Sequence, residues 1–328
     1  AEIVNRKKSH YTESTIYPFL RFDDLDDETL EKARNLVKSN NSSHPWLALS
    51  DEALLQKAGL WRRDLRTGEQ GYTLAAALLF GKDETILNIL PHYKTDALVR
   101  IKNVDRYDDR DYIQCNLINA YERLMNFISR NLPDKFYMEG DQRVNLRTKI
   151  FREVVANILV HREYTNAAPA TLTIFSDRLE AVNANVPNGH GSISFDNFAP
   201  FPKNPSIAKF FIQLGRVDEL GSGILNVNKY LVFYTPGGQA DFVEGDIFKT
   251  LIPVSVIGKA EGDTVKLKND TVKAKGDTVK YGNDTVYLKV DPVTSENESI
   301  TDTVNLLFSG SRFNSKRKIY RNPKSYDR

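Results

Sequence analysis

The chain carries a single cysteine, Cys115, in 328 residues. One thiol cannot form an internal disulfide, so no disulfide framework holds this fold, and the count fits a reducing cytoplasm. Long apolar runs are also missing. The longest, Leu74 to Phe80, is far shorter than the roughly 20 residues that cross a bilayer as a helix, which argues against a membrane partner. Neither sign of charge dominates: 45 Lys and Arg against 43 Asp and Glu leave a net charge of +2. The whole chain therefore has no strong electrostatic footprint for nucleic acid. The five histidines and Cys115 show no metal-ligand spacing, and no GxxxxGK[ST] phosphate loop or helicase motif is present. No signal peptide is visible, and the start, without Met, reads as a point inside a longer reading frame.

What is present suffices for packed structure. The residues are 41% hydrophobic and 10% aromatic, and the length allows two compact units and a tail. Four segments follow along the chain. Residues 1–45 begin with a basic strip, Arg6-Lys7-Lys8, and the acidic run Asp23 to Glu31 starts a helix through Val37. Residues 46–128 read as a small α/β unit. It has a helix at 50–58 capped by Ser50, an apolar helix at 73–80, a strand at 97–104 and a helix at 117–130. Helix, turn and helix over 50–80 could also suggest a winged-helix DNA reader, with Arg62, Arg63 and Arg66 for phosphates, yet Asp64 and Glu69 dilute that charge, and surface charge is the plain explanation. Residues 129–254 hold the segment with the most chemistry. In 255–328, Asp-Thr-Val recurs with a period of seven at Asp263, Asp270, Asp277 and Asp284. Only Val is consistently apolar there, so the repeats predict a low-complexity linker, followed by a basic tail.

Within 151–164, FREVVANILVHREY, the residues Glu153, Asn157 and His161 recur every four positions and share one helix face. A carboxylate one turn before a carboxamide suits a nucleotide site. Glu153 would orient or deprotonate a water, and Asn157 would hold Mg²⁺ through its amide oxygen. The same pair on a solvated face is the ordinary alternative. Two strands follow, Ala170 to Phe175 and Leu179 to Val182, around the turn Ser176-Asp177-Arg178, where Asp177 reads as a turn residue. Then come a loop, Asn183 to Gly191, a helix at 204–214 begun by Pro205, and Gly221-Ser222-Gly223 opening a helix over 225–231. Glycines at a helix start let backbone N–H groups approach a phosphate. Ile247 to Val254 reads as a closing strand.

This order resembles the GHKL ATP-binding fold shared by gyrase, histidine kinases and MutL. It is similar in particular to the divergent ATPase module of the RecG-like, Schlafen-AlbA family of transcriptional regulators. The residues that carry the likeness are REVVANILVHREY (152–164), IFSDRLEAVN (174–183), KNPSIAKFF (203–211) and VDELGSGI (217–224), with TLAAALLFGKDE (73–84) upstream. The resemblance covers roughly residues 1–254 and makes residues 1–45 the leader out of an AlbA-type domain.

The resemblance implies Glu153 as general base and Asn157 as Mg²⁺ ligand. His161, Asn183, Asn185, Gly189, Gly191, Gly221 and Gly223 become nucleotide-contact candidates. It also implies ATP and Mg²⁺ as cofactors, DNA as a partner through further segments or the tail, and a homodimer. The chain departs from the pattern at Asn183-Ala184-Asn185. GHKL proteins have an adenine-reading Asp and then a Gly there, and the regulators have Asn-Pro-Gly. That puts adenine recognition in question and turnover more so. For His161 and Arg162 the plain alternatives are a helix-end carbonyl bond and a neighbouring carboxylate; Gly189 and Gly191 are otherwise loop punctuation. The expectation is an α+β protein: a GHKL-like two-layer α/β sandwich preceded by a small α/β unit, with a low-complexity tail. Its expected function is nucleotide sensing with hydrolysis weak or lost. A Mg²⁺-dependent ATPase and a vestigial pocket kept as a scaffold or dimerisation unit are the alternatives.

Overall fold

The computed structural model describes residues 11–102, 105–187, 189–193, 202–217 and 223–255, together with the strands of 278–281, 284–289 and 305–308. The chain divides into two compact units, Ala1–Lys259 and Ala260–Arg328.

The first unit opens with strand β1 (Ile16–Tyr17), then helix α1 (Asp27–Asn40) and helix α2 (Asp51–Lys57). Asp26 and Ser50 cap these helices by accepting the N–H of Thr29 and Ala53. Strands β2 (Trp61–Arg63) and β3 (Gln70–Thr73) follow, and the three strands form an antiparallel sheet in the order β1-β3-β2. Thr73 caps helix α3 (Leu74–Phe80), a seven-residue apolar helix buried at every position, and α4 (Asp83–Ile89) turns off it.

Strands β4 (Thr95–Arg100) and β5 (Asp109–Ile113) then lead to helix α5 (Leu117–Asn131), a short hairpin of β6 (Met138–Glu139) and β7 (Gln142–Arg143), and helix α6 (Leu146–Val160). The hairpin β8 (Ala170–Phe175) and β9 (Arg178–Ala184) comes next, then β10 (Gly191–Ser192), helices α7 (Pro205–Gln213) and α8 (Gly223–Tyr234), and strands β11 (Asp241–Glu244) and β12 (Ile247–Pro253).

Seven strands form one mixed sheet, ordered β10-β11-β12-β9-β8-β4-β5. All pairs are antiparallel except β4 with β8, which run parallel across the crossover through α5 and α6. Alternation decides which face is covered. Ala170, Leu172 and Ile174 of β8 and Leu179 and Ala181 of β9 are buried, whereas Thr171, Thr173 and Phe175 are half-exposed. The helices therefore cover one face, and the unit is an α/β sandwich of two layers.

This arrangement differs from the sequence reading in its boundaries. No divide falls at 128/129, because β4 and β5 from the expected small unit complete the same sheet as β8–β12. Residues 11–45 are part of this body rather than a leader: Leu25, Leu30, Ala33 and Val37 lie in its core. The reason is non-local strand pairing, which local periodicity does not report.

In the second unit, β13 (Thr278–Tyr281), β14 (Asp284–Lys289) and β15 (Asn305–Phe308) form an antiparallel sheet. Two of the Asp-Thr-Val repeats, those at Asp277 and Asp284, thus run into strands where a plain linker was expected; those at Asp263 and Asp270 lie outside the described residues. Their β-branched Thr and Val favour extended backbone.

Candidate functional site

Helix α6 organises the site. Asn145 starts it by accepting the Thr148 N–H at 2.7 Å, and apolar residues on most sides bury it between the sheet and α8. Glu153 is 1% exposed, an unusual position for a carboxylate. Its Oε1 lies 3.3 Å from the Arg152 Nε. Its Oε2 lies 2.6 Å from where a Cβ on Gly223 would stand. Gly223 is thus required for close approach: the first turn of α8 passes over the carboxylate with no room for a side chain. A carboxylate at a helix N-terminus is also electrostatically favoured. Tyr121 forms part of the surroundings, its phenol pushed up to about 12 by burial, with the Glu153 charge adding to that effect.

One turn along the same face, Asn157 is half-buried, and its carboxamide has no hydrogen-bond partner among the described residues. A further turn brings His161, the residue that ends α6. Burial, reinforced by the Lys203 ammonium and opposed by the Glu244 carboxylate, pushes its imidazole down to about 4. Lys203 pairs with Glu244 at 3.1 Å and donates to the Val186 carbonyl at 2.6 Å. The face from Glu153 to His161 spans about 12 Å of helix axis. A carboxylate and a helix start lie at one end, a free carboxamide in the middle and a Lys–Glu pair at the other end.

Several sequence candidates are engaged in holding the fold. The buried Asn183 donates through Nδ2 to the His161 carbonyl at 3.1 Å. Asn204 donates to the carbonyls of Val160 and Arg162 at 2.9 and 2.8 Å. Together these carboxamides close the C-terminus of α6, which no glycine terminates. Asn185 donates to the Gly245 carbonyl at 2.9 Å, and its buried Oδ1 has no partner among the described residues. His161 accordingly bonds outward through its main chain, and among the described residues its ring makes none of the carbonyl contacts expected of it. Gly189 is exposed with open space around it, and Gly191 lies in the edge strand β10 opposite Glu244. Gly221 falls outside the described residues.

Arg162 enters no ion pair with a carboxylate among the described residues. It is 1% exposed, lies against the neighbouring rings of Tyr93 and Tyr164 at 5.4 Å from each, and donates to the Lys94 and Ala168 carbonyls. Asp177 pairs with Arg178 at 2.9 Å rather than capping its turn. Sequence reasoning gave no role to Glu13, Arg152, Lys203 or Glu244, and read Asn204 only as a helix start, the place it holds before α7. Glu13 is the most distant: its carboxylate accepts the Ser206 and Ile207 N–H groups at 2.6 and 3.0 Å and caps α7 from 193 residues away.

For a nucleotide and its Mg²⁺, the residues present fit in part. Asn157 is a free amide oxygen of the kind that binds a hard cation already carried by phosphates. Among the described residues no group of three His, Cys, Asp or Glu could hold a metal by itself. The positions that would read a base, Asn183 and Asn185, instead bond their own backbone.

The fold has a solved counterpart. The DIP2311 protein from Corynebacterium diphtheriae is similar over 77% of this chain, with a TM-score of 0.55 and 16% identity. At that identity the likeness is one of fold alone. This chain spans 49% of that protein's length. Residues 1–96 match the model of a domain of unknown function, DUF8451, and no curated protein matches. No helix among the described residues is long and apolar enough to cross a membrane.

Proposed function

We propose that this chain is a nucleotide-binding regulatory module of a DNA-associated transcriptional regulator, in which hydrolysis is weak or lost. The observation that supports binding is the packing of Glu153 against Gly223, with the unpartnered Asn157 carboxamide one turn on. That pairing joins the helix start and the α6 face, which would hold phosphates and their cation. The observation that favours sensing over turnover is the state of Glu153 itself. A general base must reach a water. This carboxylate is almost fully buried, beside the Arg152 guanidinium.

A second reading has its own support. Glu153 at the N-terminus of α8, with Asn183 and Asn185 bonded to backbone, also describes a pocket retained as a scaffold.

One experiment separates these readings. A ligand that binds only the native state at a hundredfold excess over Kd stabilises by about 2.7 kcal/mol. In a unit of this size that raises the melting midpoint by several degrees. ATP with Mg²⁺ is expected to raise it less than this, without turnover, and Asn157→Ala should abolish the rise. Turnover that Glu153→Gln removes would establish the ATPase reading. No shift with any nucleotide would leave the scaffold.

A further inference from the structure

The first small sheet carries a second site. Its order β1-β3-β2, with α1 and α2 placed between β1 and β2 in the chain, is the arrangement of a winged helix. The β2–β3 hairpin is the wing. Arg34 fixes the two helices by bonding Asp51 at 2.6 Å and the carbonyls of Trp46 and Leu49. The residues matched to the DUF8451 family, 1–96, contain the whole of this element.

The hairpin tip is rigid. Asp64 Oδ1 accepts the Arg66 and Thr67 N–H groups, the Asp64 N–H bonds the Glu69 carbonyl at 2.7 Å, and the Gly68 N–H bonds the Asp64 carbonyl at 2.8 Å. Gly68, with φ +80°, supplies the left-handed turn. Leu65 at this tip is 91% exposed. Phe19, which follows β1 along the same end of the sheet, is 93% exposed. Arg63 and Arg66 are exposed and enter no ion pair among the described residues. Of the two acids at the tip, Asp64 is turned onto the backbone and Glu69 is exposed.

We infer that this tip is a contact for duplex DNA, with Arg63 and Arg66 on phosphates and the minor-groove edge and Leu65 and Phe19 as apolar wedges. Arginine beside an exposed apolar side chain on a stiff turn matches how minor-groove contacts are built. A narrow A·T-rich groove concentrates the negative potential that attracts such arginines. The helix α2 is not the reading element, because Asp51 and Glu52 stand at its start, where they would face phosphate. The inference rests on the DNA-associated part of the proposal above and not on its nucleotide part.

The test is fluorescence anisotropy of the full chain with labelled 20-base-pair duplexes, one A·T-rich and one G·C-rich, titrated over a range of salt. Wild type should bind the A·T-rich duplex more tightly. Arg63→Ala with Arg66→Ala should weaken binding at least tenfold and reduce the slope of log K against log salt by about 2. Phe19→Ser with Leu65→Ser should weaken binding severalfold at unchanged slope. All four side chains are exposed, so the melting midpoint and any ATP shift should stay as in wild type, which keeps this result separate from the nucleotide reading. An unchanged slope in the arginine variant would overturn the inference and place DNA contact elsewhere, the basic tail included. Wild type that binds neither duplex would overturn it too, as would binding to phosphatidylserine vesicles but not to DNA.

Discussion

Replacing Gly223 with Ala puts a methyl group 2.6 Å from the Glu153 Oε2, with the Glu153 Cδ at 3.5 Å and its Cβ at 3.8 Å behind it. A carboxylate end can swing, but this one is buried and paired with Arg152, so it moves only by weakening that contact. Overpacking of this kind costs about 1–3 kcal/mol. Ala in place of Gly inside a helix returns up to about 1 kcal/mol. The net expectation for Gly223→Ala is about 1–2 kcal/mol of destabilisation. Glu153→Ala leaves Arg152 beside a void and costs about 2–4 kcal/mol. In the double variant the new methyl group has nothing to strike. It should therefore be less destabilised than the two single variants together by about 1–3 kcal/mol. Urea unfolding of the four proteins, followed by tryptophan fluorescence, measures that coupling. Additivity to within about 0.5 kcal/mol would refute the packing of α8 over Glu153, and the phosphate site with it.

Two further predictions follow from the same elements. His161 titrates near 4 in the fold against 6.5 when free, so its contribution to stability is complete above about pH 6.5 and lost as pH falls through 4. The difference amounts to about 3 kcal/mol; wild type should therefore lose about that much more stability than His161→Gln between pH 7 and pH 4, and parallel profiles would contradict it. Glu13→Ala uncaps α7 and should cost about 1–2 kcal/mol in thermal unfolding. Its burial raises the carboxyl pKa above 4.5, so the Glu13 contribution is largest below pH 4.5 and declines as pH rises through the elevated value. A stability difference between wild type and Glu13→Ala that grows with pH would be the wrong sign.

Local pattern made much of this fold legible. Ser50 and Thr73 announce helix starts, and alternation in Ala170 to Phe175 gives both the strand and its buried face. The meeting of Glu153 and Gly223 was also readable, since the two motifs only needed a common site. What stayed hidden depends on distance along the chain. Glu13 caps a helix 193 residues away, and no window around ESTIYPF signals it. Arg162 read as the partner of a phosphate or a neighbouring carboxylate because arginine is seldom buried without an anion; its partners are two carbonyls and two rings supplied by separate segments. Asn183 and Asn185 read as ligand contacts because a carboxamide serves a nucleotide and a backbone carbonyl equally well.

The sheet order bears on how this chain can be cut. The stretch that matches a domain family ends at residue 96, the second residue of β4. Cleavage there would break the strand that runs parallel to β8 and would separate Glu13 from the helix it caps. The front piece would keep only Thr95 and Asp96 of β4, and the rear piece would leave Ala170 and Thr171 at the start of β8 without their partners, an edge open to pairing with other chains. A boundary of sequence similarity is therefore not a boundary of folding here. Fragments meant to isolate either part should keep residues 11–255 together, and a tag or fusion belongs outside that span.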